Sequence, residues 1–216
     1  MKAIDSLVFD LDGTLIDSSE GVVDAVNYSL RRMNIAEQPP ERIKRYIGFP
    51  LRQMYPDFTS APFDQLYRHF QKRAAETVVS SSVPLDGVAE VLDILHSQGF
   101  RMAIASTKVH GHVEGIVAKL GWSNIFTAIV GGDDVAAVKP APDAFRAALQ
   151  KLDAVPDQAL VVGDTINDIQ AARAVPMRII AVESPYREPS ELESAKPDYL
   201  IKSLTGLPAL LEEING

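Results

Sequence analysis

The chain of 216 residues contains no cysteine. That absence removes disulfides, thiolate metal sites and a cysteine nucleophile together. Tryptophan occurs once, and aromatic residues make up only 7% of the chain, so its interior must be built mainly from aliphatic side chains. No apolar run approaches membrane-spanning length, and the N-terminus passes straight into a strand pattern without a signal-peptide pattern. The expectation is a cytoplasmic protein with no membrane partner. Basic charge is also scarce: 21 Lys and Arg stand against 29 Asp and Glu, a net charge of −8. Nucleic acid is therefore excluded as an expected partner, because neutralising phosphates needs a basic patch. A small phosphorylated substrate stays open, since one local cation reverses the field at one site.

What is present is a globular mixture, 46% hydrophobic and 23% charged, long enough for one large domain or one domain carrying an insertion. Two patterns divide it. From Asp17 to about Ser82 the apolar spacing is helical: Val22, Val23, Val26, Leu30 and Met33 open a helix expected to run to about Asn34. Shorter helices follow around 41–47, 51–55 and 63–77, broken at Gly48-Phe49-Pro50 and Pro56-Asp57, and 80–84 reads as a linker. From Gly87 helices alternate with strands at 101–105, 126–130, 160–162, 178–182 and 199–201. Such alternation predicts an α/β protein: a Rossmann-like parallel sheet with helices on both faces. Residues 17–82 are then an all-helical domain inserted into a discontinuous core of 1–16 and 83–216.

The first strand, Leu7 to Phe9, ends at Asp10-Leu11-Asp12-Gly13-Thr14. In open α/β sheets, sites gather at the carboxyl ends of strands. Two carboxylates on one strand face repel, so one keeps a proton or both need a cation; the pair suits a nucleophile and a proton-carrying acid. Other strands end in polar residues too: Ser106-Thr107, Lys139-Pro140 beyond the Asp133-Asp134 turn, and Asp164 followed by Asp168. Read singly, each has a plain structural account as a helix cap, a loop lysine or a first-turn acid.

In order and type these four segments resemble the four motifs of the haloacid dehalogenase (HAD) superfamily of phosphohydrolases, across essentially the whole chain. The members with a helical (C1-type) cap after the first motif are most similar. Gly163-Asp164-Thr165-Ile166-Asn167-Asp168 and Val138-Lys139-Pro140-Ala141-Pro142-Asp143 are especially like the phosphoglycolate phosphatase branch. The resemblance implies a phosphatase dependent on Mg²⁺ and acting on a small phosphorylated metabolite, with phosphoglycolate favoured. A pyrophosphatase, a phosphomutase like β-phosphoglucomutase, or a binding module on an inactive scaffold are the alternatives.

The resemblance also implies roles. Asp10 attacks phosphorus, and Asp12 protonates the leaving oxygen and then deprotonates water. Asp10, the Asp12 carbonyl and Asp164 hold Mg²⁺, with Asp168 orienting that shell. Ser106, with backbone N–H groups near Leu11 and Thr107, grips the phosphoryl group; Lys139 neutralises charge; Thr14 places Asp12. In the cap, the loop with Gly48 and Phe49 selects substrate, with Arg52 or Arg45 contacting an anionic leaving group. His110 and His112 lack a third metal ligand nearby. One departure from the family pattern is Val175-Pro176, where relatives usually carry glycine.

Overall fold

The computed structural model describes residues 3–216. The sequence runs β1 (Ser6–Phe9), β2 (Ile16–Asp17), α1 (Ser19–Arg32), α2 (Pro40–Lys44), α3 (Leu51–Met54), α4 (Phe63–Ser81) and β3 (Val83–Pro84). There follow α5 (Val88–Ser97), β4 (Arg101–Ala105), α6 (His110–Lys119), β5 (Ala128–Val130), α7 (Asp143–Leu152) and β6 (Ala159–Gly163). Last come α8 (Ile166–Arg173), β7 (Arg178–Val182), α9 (Pro189–Ala195), β8 (Tyr199–Ile201) and α10 (Leu207–Asn215).

Six strands form one parallel sheet in the order β5-β4-β1-β6-β7-β8. The strands read as unbroken apolar runs because both faces are covered. One face packs on α5, α6 and α10 through Leu7, Phe9, Met102, Leu92, Ile116 and Leu207. The other packs on α7 and α8 through Val8, Ala103, Val161, Phe145 and Ile169. Phe9 is the period-2 partner of Leu7 and points with it to the first face, while Val8 points to the second. Central β1 is flanked by β4 and β6, so the carboxyl ends of these three strands form one edge. The site gathers there.

The helical segment leaves and re-enters through a two-stranded antiparallel ribbon in which Ile16 faces Pro84 and Asp17 faces Val83. Its helices have their own apolar cluster, with Val26, Leu30, Ile43, Met54, Tyr55 and Leu66 buried.

Several expected boundaries move. The linker expected over 80–84 does not form as one: α4 continues through Ser81, and Val83–Pro84 pair as a strand. Serine hydroxyls permit this by bonding back to their own helix, Ser81 to the Thr77 carbonyl at 2.9 Å and Ser82 to that of Val78 at 2.7 Å. Helix α1 ends at Arg32, two residues early, and Asn34 turns the chain with φ 56°. Helix α9 was not expected from the apolar pattern; it starts at Pro189, a favoured first-turn residue, and buries one side chain, Leu192.

Candidate active site

The sharp turn after β1 shapes the site. Gly13 has φ +86°, and a Cβ there would lie 2.3 Å from Asp164 Oδ2. Only glycine permits both the left-handed conformation and that approach. The turn is closed by Leu15 and Ile16 N–H groups donating to the Leu11 carbonyl at 2.9 and 3.1 Å. Asp10 and Asp12 thus come to the edge together, both buried.

Lys139 reaches in from the loop before α7 and is 1% exposed. Its Nζ donates to Asp10 Oδ1 and Asp168 Oδ1, both at 2.6 Å, and to the Ala105 carbonyl at 3.0 Å. Burial alone would lower its pKa, but Asp10 and Asp168 outweigh burial and hold it above the ordinary lysine value. Asp168 is used on both oxygens, because Oδ2 accepts the Thr165 N–H at 3.0 Å and hydroxyl at 2.6 Å in a capping box on α8. Asp164 accepts from the Thr14 hydroxyl at 3.1 Å on Oδ1. Thr14 therefore positions Asp164 in this structure, where the sequence reading had it placing Asp12.

Two buried carboxylate oxygens accept no hydrogen bond, Asp10 Oδ2 and Asp164 Oδ2, although Arg187 Nε stands 3.9 Å from the latter. Asp10, Asp164 and Asp168 each place an oxygen within 4.8 Å of the others. Burial is the chief cause pushing the Asp10 carboxyl well above its usual range, with Lys139 opposing and Asp168 and Asp164 adding to the rise. Burial likewise raises Asp164 to about 7, against the pull of Arg187. Clustered carboxylates with unpaired oxygens are a hard donor set, the kind that takes Mg²⁺. The residues fit the ion.

Asp12 is held differently. Its Oδ1 accepts from the Ser18 hydroxyl and pairs with Lys108 Nζ at 3.2 Å. Ser106 is buried and its Oγ accepts the Lys108 N–H at 3.1 Å. The Thr107 hydroxyl donates across to the Gly48 carbonyl at 3.4 Å, tying the core edge to the helical insertion. Arg187, after β7, makes the second tie: it donates to the Arg45 and Ile47 carbonyls and stacks on Phe49 at 4.6 Å.

A cavity of about 530 Å³ opens between edge and insertion, with Asp12, Thr107 and Lys108 on its floor and Gly48, Phe49 and Arg52 among its upper lining. Arg52 lies at the rim, stacked on Phe63 at 4.0 Å and paired with Asp64 at 3.5 Å. Arg45 is exposed and lines a separate groove beside Arg187 and Glu188. The structure thus brings Asp10, Asp12, Thr14, Ser106, Thr107, Lys139, Asp164 and Asp168 together, with the buried Leu11 in the turn between the first two. Arg45 is not among them.

Three neighbours escaped the sequence reading. Lys108 had a local signal, following Ser106-Thr107 at a strand end. Ser18 and Arg187 had none, since each matters only through a contact that the fold creates. His112 also faces the cavity, and burial, followed by Lys108, lowers its pKa. His110 instead bonds Asp134 at 2.5 Å, and its N–H donates to Asp133 Oδ1 at 2.6 Å, so this pair is turn chemistry.

Comparison with known proteins agrees with this geometry. The family model for haloacid dehalogenase-like hydrolases matches residues 7–182. A phosphoglycolate phosphatase of Pectobacterium atrosepticum is 32% identical, over 98% of this chain and 94% of its own. The pyrophosphatase PpaX of Bacillus mycoides is 29% identical over 99% of both. Among solved structures, a predicted phosphoglycolate phosphatase from Haemophilus somnus superposes with TM-score 0.87 at 26% identity, covering 97% of this chain and 99% of that one. Among the described residues no helix is long and apolar enough to cross a membrane.

Proposed function

From the premise that this chain belongs to the haloacid dehalogenase-like hydrolase family and is a phosphatase, we propose that it hydrolyses a small phosphate monoester in two steps through a phosphorylated Asp10, with Mg²⁺ as cofactor. One observation carries the reading. Lys139 fixes Asp10 Oδ1, and buried Oδ2 accepts no hydrogen bond, in a cluster with the carboxylates of Asp164 and Asp168.

In the first step Asp10 attacks phosphorus, a P–O bond to Asp10 forms, and the bond to the leaving oxygen breaks. Asp12 gives that oxygen its proton. In the second step Asp12 takes a proton from a water that attacks the same phosphorus, and phosphate leaves with Asp10 restored. Lys139 opposes the burial that favours the protonated form of Asp10, and aims its carboxylate throughout. Ser106 and Lys108 stand where the phosphoryl oxygens enter and stabilise their charge. Asp10, Asp164 and the Asp12 carbonyl would hold Mg²⁺, and Asp168 would act on this set through Lys139. When bound, the ion supplies positive charge that offsets repulsion between the carboxylates and the phosphoryl group.

Residues 17–82 serve as a cap on a core of 1–16 and 83–216, with the ribbon of β2 and β3 as the joint. Closing the cap would shut water out of the cleft. The relatives named for phosphoglycolate and pyrophosphate supply comparison substrates. The test is phosphate release from a panel of monoesters and pyrophosphate, with Mg²⁺ and with excess chelator. Release that survives the chelator undiminished refutes the metal assignment, and absence of release from every compound refutes the activity.

A further inference from the structure

The chain is poor in aromatics, yet five of its fifteen line this one cavity: Tyr46, Phe49, Phe63, Tyr67 and Phe70. Phe49, Phe63, Tyr67 and Phe70 are all half-buried, with ring surface left open. Phe63 and Tyr67, one helical turn apart on α4, lie parallel with centroids 5.4 Å apart. Met54, Leu51 and Val22 fill in between them. A volume of about 530 Å³ lies within the roughly 300–1,000 Å³ usual for sites that enclose a ring-sized ligand. A leaving group as small as glycolate would leave much of it as water against apolar walls.

The charges point the same way. Besides His112, the cavity lining contains two basic side chains, Arg52 and Lys108, and two acidic ones, Asp12 and Asp133. Lys108 is paired with Asp12 on the floor, where the phosphoryl group itself must be neutralised. Arg52 is committed to Asp64 and the face of Phe63. His112 is kept toward its neutral form by burial. Among the described lining residues, no unpaired cation remains for a carboxylate or second phosphate on the leaving group.

We infer that the preferred substrate is a phosphate monoester whose leaving group is an apolar, ring-sized alcohol held between Phe49, Phe63, Tyr67 and Phe70. The inference rests on the phosphatase reading above and deepens it. The phosphoryl group binds at Ser106, Thr107 and Lys108, and the ring enters the aromatic upper wall. His112 and Gln71 are the polar groups placed to meet a hydroxyl on that ring.

The test compares kcat/KM of the full chain with Mg²⁺ on benzyl phosphate, ethyl phosphate, 2-phosphoglycolate and pyrophosphate. Benzyl and ethyl phosphates release alkoxides of similar basicity, so their ratio reports on the wall and not on chemistry. Expected is a preference for benzyl phosphate of about tenfold or more over the other three, since apolar pockets discriminate by roughly 10–200-fold per added group. Phe63→Ala, and separately Tyr67→Ala, should bring the benzyl-to-ethyl ratio toward one. Equal or better use of 2-phosphoglycolate or pyrophosphate would overturn the inference and leave the phosphatase reading standing. So would a ratio unmoved by both substitutions. Absence of phosphate release from all four, and from acetyl phosphate as well, would overturn the phosphatase reading and this inference with it.

Discussion

The floor and the roof of the cleft are built on opposite principles. On the floor, Asp10, Lys139, Asp164 and Asp168 are fully buried, each within reach of another, and two carboxylate oxygens accept no hydrogen bond. On the roof, the side chains are aromatic and half-exposed, and Arg52, the charge at its edge, is already paired. Buried like charges are unfavourable for stability and are held there by the ends of β1 and β6, the first turn of α8 and the loop before α7. Half-buried rings cost little and wait for a surface to cover. On the proposed reading, the floor does one kind of chemistry on any phosphate, and the roof decides which phosphate comes to it.

The largest effect that would break this division is at the proposed nucleophile. Asp10→Asn should lower turnover by about 10⁴-fold or more on every substrate. The thermal melt should stay cooperative, because the amide keeps the shape and still accepts from Lys139. Near-normal phosphate release by that variant would end the account of the floor. Excess chelator should come next, reducing release by about a hundredfold or more, with recovery on Mg²⁺ and little on Ca²⁺, whose longer and more numerous contacts suit the set poorly. Equal rates with the two ions would contradict the donor assignment.

Lys139→Met probes what one cation does for the floor. It leaves Asp10 and Asp168 buried without their shared partner, and breaking such a pair costs about 3–5 kcal/mol. Urea unfolding should show that loss, and a midpoint matching the unsubstituted protein would contradict it.

A smaller effect concerns pH without metal. Asp164 is raised to about 7 from its ordinary value of 3.8, so between those values the folded state binds more protons than the unfolded one. Its contribution therefore declines as pH rises from about 4 to 7. The metal-free protein should lose melting temperature, relative to Asp164→Asn, between about pH 4 and pH 7, and Mg²⁺ should restore it only in the protein that keeps Asp164. A difference between the two proteins that does not change with pH would refute the shift.

Smallest of all is the roof's own charge. With Arg52 paired to Asp64 and lying over Phe63 at the rim, Arg52→Ala should change kcat/KM less than about fivefold on 2-phosphoglycolate, the range of an exposed ion pair. A loss of tenfold or more there would show that the roof reads charge after all.

The same division governs what the sequence disclosed. The floor was legible because parallel strands place the residues that follow them on one edge, so Asp10, Ser106 and Asp164 announce themselves by following Phe9, Ala105 and Gly163. Order along the chain then sufficed. The roof was legible as helices and, through the resemblance alone, as a substrate loop at Gly48 and Phe49. Its rings come from a loop at Phe49 and from one face of α4, and nothing local marks Phe63 or Tyr67 as facing a cleft when the same spacing would serve a buried core. Ser18 and Arg187 were invisible for a related reason, since their partners Asp12, Ile47 and Phe49 are brought to them by the ribbon and by the loop after β7. The serines at 80–82 misled by composition: their hydroxyls extend α4 through its own carbonyls, where polar clusters more often mark a break.

The central claim is that the floor acts through a phosphorylated Asp10 whatever the roof admits. It is tested most directly by acid-quenching the enzyme during turnover and mapping, by mass spectrometry, the peptide that carries Asp10. With benzyl phosphate and with ethyl phosphate alike, the account predicts one phosphoryl group on Asp10, and none in Asp10→Asn. A phosphoryl group on any other residue, or one on Asp10 with only one of the two substrates, would contradict it.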